Sequence, residues 1–223
     1  MIRTTIAAFA LCALAIASPA AANVHASSDA GFVVRQAALV PASVDETWER
    51  LVKPAQWWSA EHSYSGDAAN FRLVPDAGGC FCETIPNASD PIGAPEGSVE
   101  HMRVVFVQKG RALRMKGGLG PLQAEAVNGT LTVMLKPADA GTEILWEYVV
   151  GGYMRMPVPT IAKAVDAVLG QQVQNLAEGL GGDRVVPGGA RSVPDQPADE
   201  TGTPDESDDS SGAGPSKPPL EGR

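Results

Sequence analysis

Residues 57–83 read WWSAEHSYSGDAANFRLVPDAGGCFCE. Two tryptophans, a histidine, a tyrosine and two cysteines fall in this short run around Pro75-Asp76-Ala77-Gly78-Gly79. Proline presets φ and glycine accepts positive φ, so 75–79 is turn chemistry. The flanking segments 69–74 and 80–85 then read as consecutive strands of a meander. The rest of the chain is read outward from this pair.

Upstream, residues 32–40 are rich in valine, alternate in polarity, and stop at Pro41. Ser43 and Glu46 have the spacing of a capping box, which opens a helix running to about Val52. Val44, Trp48 and Leu51 give that helix one apolar face. Pro54 breaks it, and residues 55–59 are expected to form a second short helical turn carrying Trp57 and Trp58. Downstream, a loop at 86–97 leads to strands at 98–107, 111–117, 128–136 and 142–150. The first two are joined by a two-residue turn at Lys109-Gly110. Residues 118–121 interrupt the meander, and 122–127 are a kink or short helical turn. Pro157 and Pro159 then suit a helix entry. Ile161, Ala164, Val165, Val168, Leu169, Val173, Leu176 and Leu180 recur at three- and four-residue spacing, and glycines at 179, 181 and 182 end the helix. Such a stripe must cover an apolar sheet face.

The ends are of a different character. Residues 1–22 read as a cleaved signal peptide: Arg3, an apolar run at 6–16 too short to span a bilayer, then Ala20-Ala21-Ala22. The mature chain is thus expected to be periplasmic or secreted, with no integral membrane segment. Residues 23–31 read as a loose lead-in and 32–182 as one domain. Residues 183–223, dense in Pro, Gly, Ser and Asp, read as a disordered acidic tail, since they lack the apolar surface to offset chain entropy. The domain and the tail each carry a net charge of −5, which argues against a nucleic-acid partner.

Strand, two short helices, meander and long C-terminal helix is the order of an α+β helix-grip domain. At WWSAEHSYSGDAAN, AGGCFCE, SVEHMRVVF, LGPLQA and YVVGGY the sequence resembles a bacterial exported branch of the START-like, or SRPBCC, superfamily. The resemblance implies a curved antiparallel sheet of about seven strands wrapped round the helix, with a cavity between them. Members bind lipids, sterols, polyketides and other apolar molecules; some are cyclases, dehydratases or ring hydroxylases, and others bind protein.

Alternation along the hairpin at 98–117 places Met102, Val104, Phe106, Leu113 and Met115 on an inner face together with Glu100, while His101 points out. An inward carboxylate at a cavity mouth is a candidate acid–base or ligand-orienting group. The same logic sets Leu73 across from Cys80 and Phe71 across from Cys82, with both cysteines inside and Phe81 and Glu83 outside. Cys80 and Cys82 read as cavity-wall thiols, a disulfide, or a metal site with His62 or His101. On an ideal strand they stand about 6.5–7 Å apart at Cα, at or beyond bridging range. No recognised metal spacing, phosphate loop or nucleophile–His–acid motif is present, so neither metal nor cofactor is expected. The expected function is a binding protein for a small apolar or amphipathic ligand. Apolar contacts come from Trp57, Trp58, Met102, Phe106, Met115, Trp146 and Val165, with the two cysteines in the wall and Glu100, Tyr64 and His62 orienting a polar end. The alternatives are a cyclase or dehydratase using Glu100 with Tyr64 or His62, and a protein-interaction module.

Overall fold

A computed structural model describes residues 24–87 and 96–185. The segment expected to be a signal peptide, the middle of the 86–97 loop and the chain beyond 185 lie outside the described residues.

The fold is α+β, a nine-stranded antiparallel sheet with one long helix near its C-terminal end. In chain order the elements are β1 (Val24–Ser28), β2 (Gly31–Val40), α1 (Val44–Leu51), β3 (Phe71–Leu73), β4 (Cys80–Ile85), β5 (Gly97–Gln108), β6 (Ala112–Lys116), β7 (Ala126–Ala138), β8 (Gly141–Tyr153), α2 (Val158–Glu178) and β9 (Asp183–Val185). The sheet order is β1-β2-β8-β7-β6-β5-β4-β3, and β9 also pairs with β2. The two strands beyond the expected seven come from the ends. Val24–Ser28, expected to be loose, pairs with the first half of β2, and Asp183–Val185, expected to open the tail, pairs with Ala37–Leu39. Neither has a strong pattern of its own; each is ordered by a partner edge that its sequence does not reveal.

Helix α1 begins where the capping box predicts. Ser43 Oγ accepts from the Glu46 N–H at 3.3 Å, and the Glu46 carboxylate accepts from the Ser43 N–H at 2.9 Å. Trp48 and Leu51 are buried. The expected second helix is a single 3₁₀ turn, Pro54–Gln56, followed by two more at Ala60–His62 and Ala68–Asn70. Pro54 cannot donate to a continuing helix, so the chain turns in short pieces.

Along α2, Ile161, Val165, Leu169, Val173 and Leu176 are buried and the helix packs against β2. Each such side chain contributes about 1.5–3 kcal/mol by leaving water, so this stripe holds the helix on the sheet. Gln36 on β2 donates to the Asp166 carboxylate at 2.6 Å, tying the two elements inside the core.

Two bulges on β5 change the faces expected for it. Phe81 pairs with Met102 but Cys82 pairs with Glu100, so His101 is the extra residue. Val104 pairs with Met115 but Phe106 pairs with Arg114, so Val105 is extra again. Each inserted residue inverts the side-chain alternation beyond it. His101 and Met102 are therefore both buried, Glu100 is exposed, and Phe106 turns out to 43 % exposure beneath the Arg114 guanidinium. The expected Lys109-Gly110 turn is a three-residue loop, 109–111, with Gly110 at φ +70°. That pairs Leu113 with Val107 and not with Phe106.

The cysteine strand is displaced in the same way. Leu73 faces Phe81, and Phe71 faces Glu83. Phe81 and Glu83 are inside, and alternation turns Cys80 and Cys82 to the opposite face. The cysteines are joined by a disulfide, with Cα atoms 5.5 Å apart. That is shorter than an ideal strand allows, and the contraction lies opposite the His101 bulge, where two residues of β4 span three of β5.

Candidate functional site

The site is built on the segment that follows the tryptophan pair. Its first half is tied to α2: Gln172 accepts from the Ser59 N–H at 2.8 Å, and Asn175 donates to the Trp57 carbonyl at 3.1 Å. Its second half is tied to β4. The Glu83 carboxylate accepts from the backbone N–H groups of Tyr64, at 3.1 Å, and Ser65. Trp58 closes the loop on itself, its indole donating to the His62 carbonyl at 2.8 Å. The chain at 58–64 is thus stretched between helix and sheet.

Beneath it lies a cavity of about 520 Å³. One wall is the first half of α2, where Ile161, Ala164, Val165, Val168 and Leu169 face in. Opposite stand Trp58, His62, Ser63 and Tyr64, with His101 from β5. The turn Leu119-Gly120-Pro121 forms a third side, and the Tyr64 hydroxyl reaches across to donate to the Gly120 carbonyl at 3.2 Å. Tyr148 sets that turn. Its hydroxyl donates to the Gly117 carbonyl at 2.9 Å and accepts from the Leu119 N–H at 3.2 Å. Burial pushes the phenol pKa well above its usual value, so it stays protonated. Gly129 leaves the room: a Cβ there would come within 2.4 Å of the Tyr148 hydroxyl.

The polar feature of the wall is a buried pair. His101 Nε2 and Glu83 Oε2 are 2.9 Å apart, and the side chains are 3 % and 0 % exposed. Burial pushes the Glu83 carboxyl up, but hydrogen bonds from Ser65, Tyr64 and His101 outweigh it and hold the group below the usual carboxylate range. Burial also lowers the His101 pKa, against the opposing pull of Glu83. At neutral pH the pair is a carboxylate accepting from a neutral imidazole. An aromatic nest supports it, with His101 stacked on Phe71 at 5.0 Å and close to Phe81 at 5.2 Å.

Of the residues expected at the site, Trp58, His62, Tyr64 and Val165 line the cavity. Trp57, Met115 and Trp146 do not; they border a small void of about 10 Å³ deeper in the core. Met102 is buried in the core, Phe106 is outside, and the Cys80–Cys82 disulfide is on the other face of its strand. Glu100, expected to point in, lies on the surface and pairs with Arg103. Among the described residues no three His, Cys, Asp or Glu side chains cluster as a metal site. Sequence reasoning missed Glu83 and His101. The run Val104-Val105-Phe106-Val107, four apolar residues in a row, signals a break in the period-two pattern at Val105, but the bulge at His101 carries no such mark.

No family model matches the chain, and no curated protein does. Solved structures do. Protein MLL2253 from Mesorhizobium loti is 16 % identical, with 66 % of this chain and 94 % of that one covered and a TM-score of 0.45. An uncharacterized protein from Rhizobium leguminosarum is 15 % identical over 67 % of this chain and 93 % of its own, with a TM-score of 0.46. Protein NE0264 from Nitrosomonas europaea is 16 % identical over 74 % and 98 %, with a TM-score of 0.42. At these values the likenesses carry no argument about function.

Proposed function

We propose that this chain is an exported binding protein of helix-grip, START-like type, which holds a small apolar or amphipathic ligand between the sheet and α2. The observation that carries the reading is the cavity. At about 520 Å³ it lies within the roughly 300–1,000 Å³ typical of small-molecule sites. Its wall is mainly aliphatic and aromatic, with a few polar groups held in place by other hydrogen bonds, which is the usual composition of a site that orients an apolar ligand. Among the described residues no helix is long and apolar enough to cross a membrane. Glu100 lends no support to acid–base chemistry in the cavity, because it is on the surface beside Arg103.

Native mass spectrometry of protein recovered from the exported fraction tests the reading. Added mass that is lost on denaturation, on a chain beginning after residue 22, is the expected result. A chain that retains its N-terminus, carries no added mass and binds no hydrophobic dye would overturn it.

A further inference from the structure

The two histidines of the cavity are held in the same tautomer by different contacts. Gln172 spends its carbonyl oxygen on the Ser59 N–H, so its amide nitrogen faces His62 Nδ1, at 3.3 Å, as a donor. His62 Nδ1 is therefore an acceptor, and the proton of the neutral ring is on Nε2. His101 reaches the same state from its other nitrogen. Glu83 is an ionised acceptor already holding two backbone N–H groups, so the 2.9 Å contact requires His101 Nε2 to donate. The proton of neutral His101 is thus on Nε2, and Nδ1 is a lone pair. Among the described residues Nδ1 makes no hydrogen bond, while His101 forms part of the cavity wall.

The two hydroxyls nearest His101 in the wall are otherwise engaged, and the remaining ring donor of the cavity is His62 Nε2–H. The Tyr64 hydroxyl donates to Gly120 and the Ser63 hydroxyl to Ala60. Among the described residues no lysine or arginine lines the cavity. The wall beside the Glu83–His101 pair thus presents an acceptor backed by a buried carboxylate and no compensating cation. A ligand carboxylate placed there would meet a lone pair and, behind it, a negative charge. A ketone or ether oxygen would oppose the lone pair and leave it unpaired. A hydroxyl satisfies it.

We infer that the ligand is an apolar molecule bearing a phenolic or alcoholic hydroxyl, and that this hydroxyl donates to His101 Nδ1. The inference rests on the binding reading above and adds the chemical class of the ligand. Glu83 is a positioning residue, since it acts through the tautomer of His101.

The test is displacement of Nile red from the full mature chain at pH 8 by three probes: 4-nonylphenol, its methyl ether 4-nonylanisole, and dodecanoate. The phenol should bind about tenfold more tightly than the ether, the value of one well-made hydrogen bond of about 1.4 kcal/mol, and dodecanoate more weakly than the phenol. In His101→Phe, which keeps an aromatic ring against Phe71 and Phe81, the phenol should lose that advantage while the ether stays within about twofold of its native affinity. Equal affinities for phenol and ether on the native chain would overturn the hydroxyl assignment while leaving cavity binding intact. So would a preference for dodecanoate, or a phenol advantage that survives His101→Phe. Failure of Nile red itself to bind would overturn both. If His101→Phe does not fold, the native comparison alone decides.

Discussion

Replacing Glu83 by glutamine is the substitution whose cost follows most directly from the geometry. The carboxylate is fully buried and receives three donors: two backbone N–H groups and the His101 ring. Glutamine has nearly the same shape but only one acceptor oxygen. Whichever way its amide is turned, at least one of the three donors faces an NH₂ group. The loss is one hydrogen bond to a charged acceptor, about 1.5–3 kcal/mol, together with a buried donor left unpaired, about 1–3 kcal/mol. Part of this is offset because a neutral side chain no longer has to be kept out of water as an ion. A net destabilisation of roughly 2–3 kcal/mol is expected. For a domain of this size that corresponds to a fall of roughly 4–12 °C in Tm. Urea unfolding of the two proteins in one buffer measures it: the midpoint should fall and the slope should not change. A difference below about 0.5 kcal/mol, the range of an ordinary surface substitution, would mean that Glu83 does not hold the 64–65 backbone and that the cavity wall is secured in some other way.

Stability should also fall in two stages as the solution is acidified. His101 has a folded pKa below its ordinary 6.5, so the native state favours the neutral ring, and that contribution, complete above 6.5, is lost as pH falls toward the folded value. Glu83 has a folded pKa below its ordinary 4.5, so its contribution persists to lower pH and is lost below 4.5. Urea midpoints measured from pH 8 to pH 2 should show both stages, and His101→Phe should remove the first; a flat profile between pH 7 and pH 5 would refute the assignment. Gly129→Ala should cost about 3 kcal/mol or more, because its Cβ would sit 2.3 Å from the Gly117 carbonyl oxygen and 2.4 Å from the Tyr148 hydroxyl; thermal melting checks it. Glu100→Gln should leave stability within about 0.5 kcal/mol and Nile red affinity unchanged, since its ion pair with Arg103 is exposed.

Much of the fold was legible along the chain because its signals are local. The capping box at Ser43 and Glu46, the proline stops and the α2 stripe each depend on residues a few positions apart, and local sterics and burial enforce them directly. The meander order follows from turn residues in the same way. Trp58, His62, Tyr64 and Val165 line the cavity, and they belong to segments whose position follows from that order.

The faces of β4 and β5 were not legible. A strand's two faces are assigned by counting in twos from a fixed point, so one extra residue reverses every assignment beyond it. The bulges at His101 and Val105 exist because of what β4 and β6 present across the ladder, and nothing inside SVEHMRVVF states those partners. Glu83 is the same case. A glutamate in a strand, counted onto the outer face, reads as solvated, and it can be buried only because Tyr64, Ser65 and His101 converge on it from 18 or 19 residues away. By itself the sequence determined the seven central strands, the order of the elements and an apolar helix that had to cover a sheet, since propensity and periodicity act over a few residues, while the two edge strands Val24–Ser28 and Asp183–Val185 escaped it. Only the tertiary structure decided the strand register, and with it that the cavity's polar wall is a buried Glu83–His101 pair and not Glu100, because register is a property of two strands together and long-range pairing alone provides the acceptors and donors that make a buried charge tolerable.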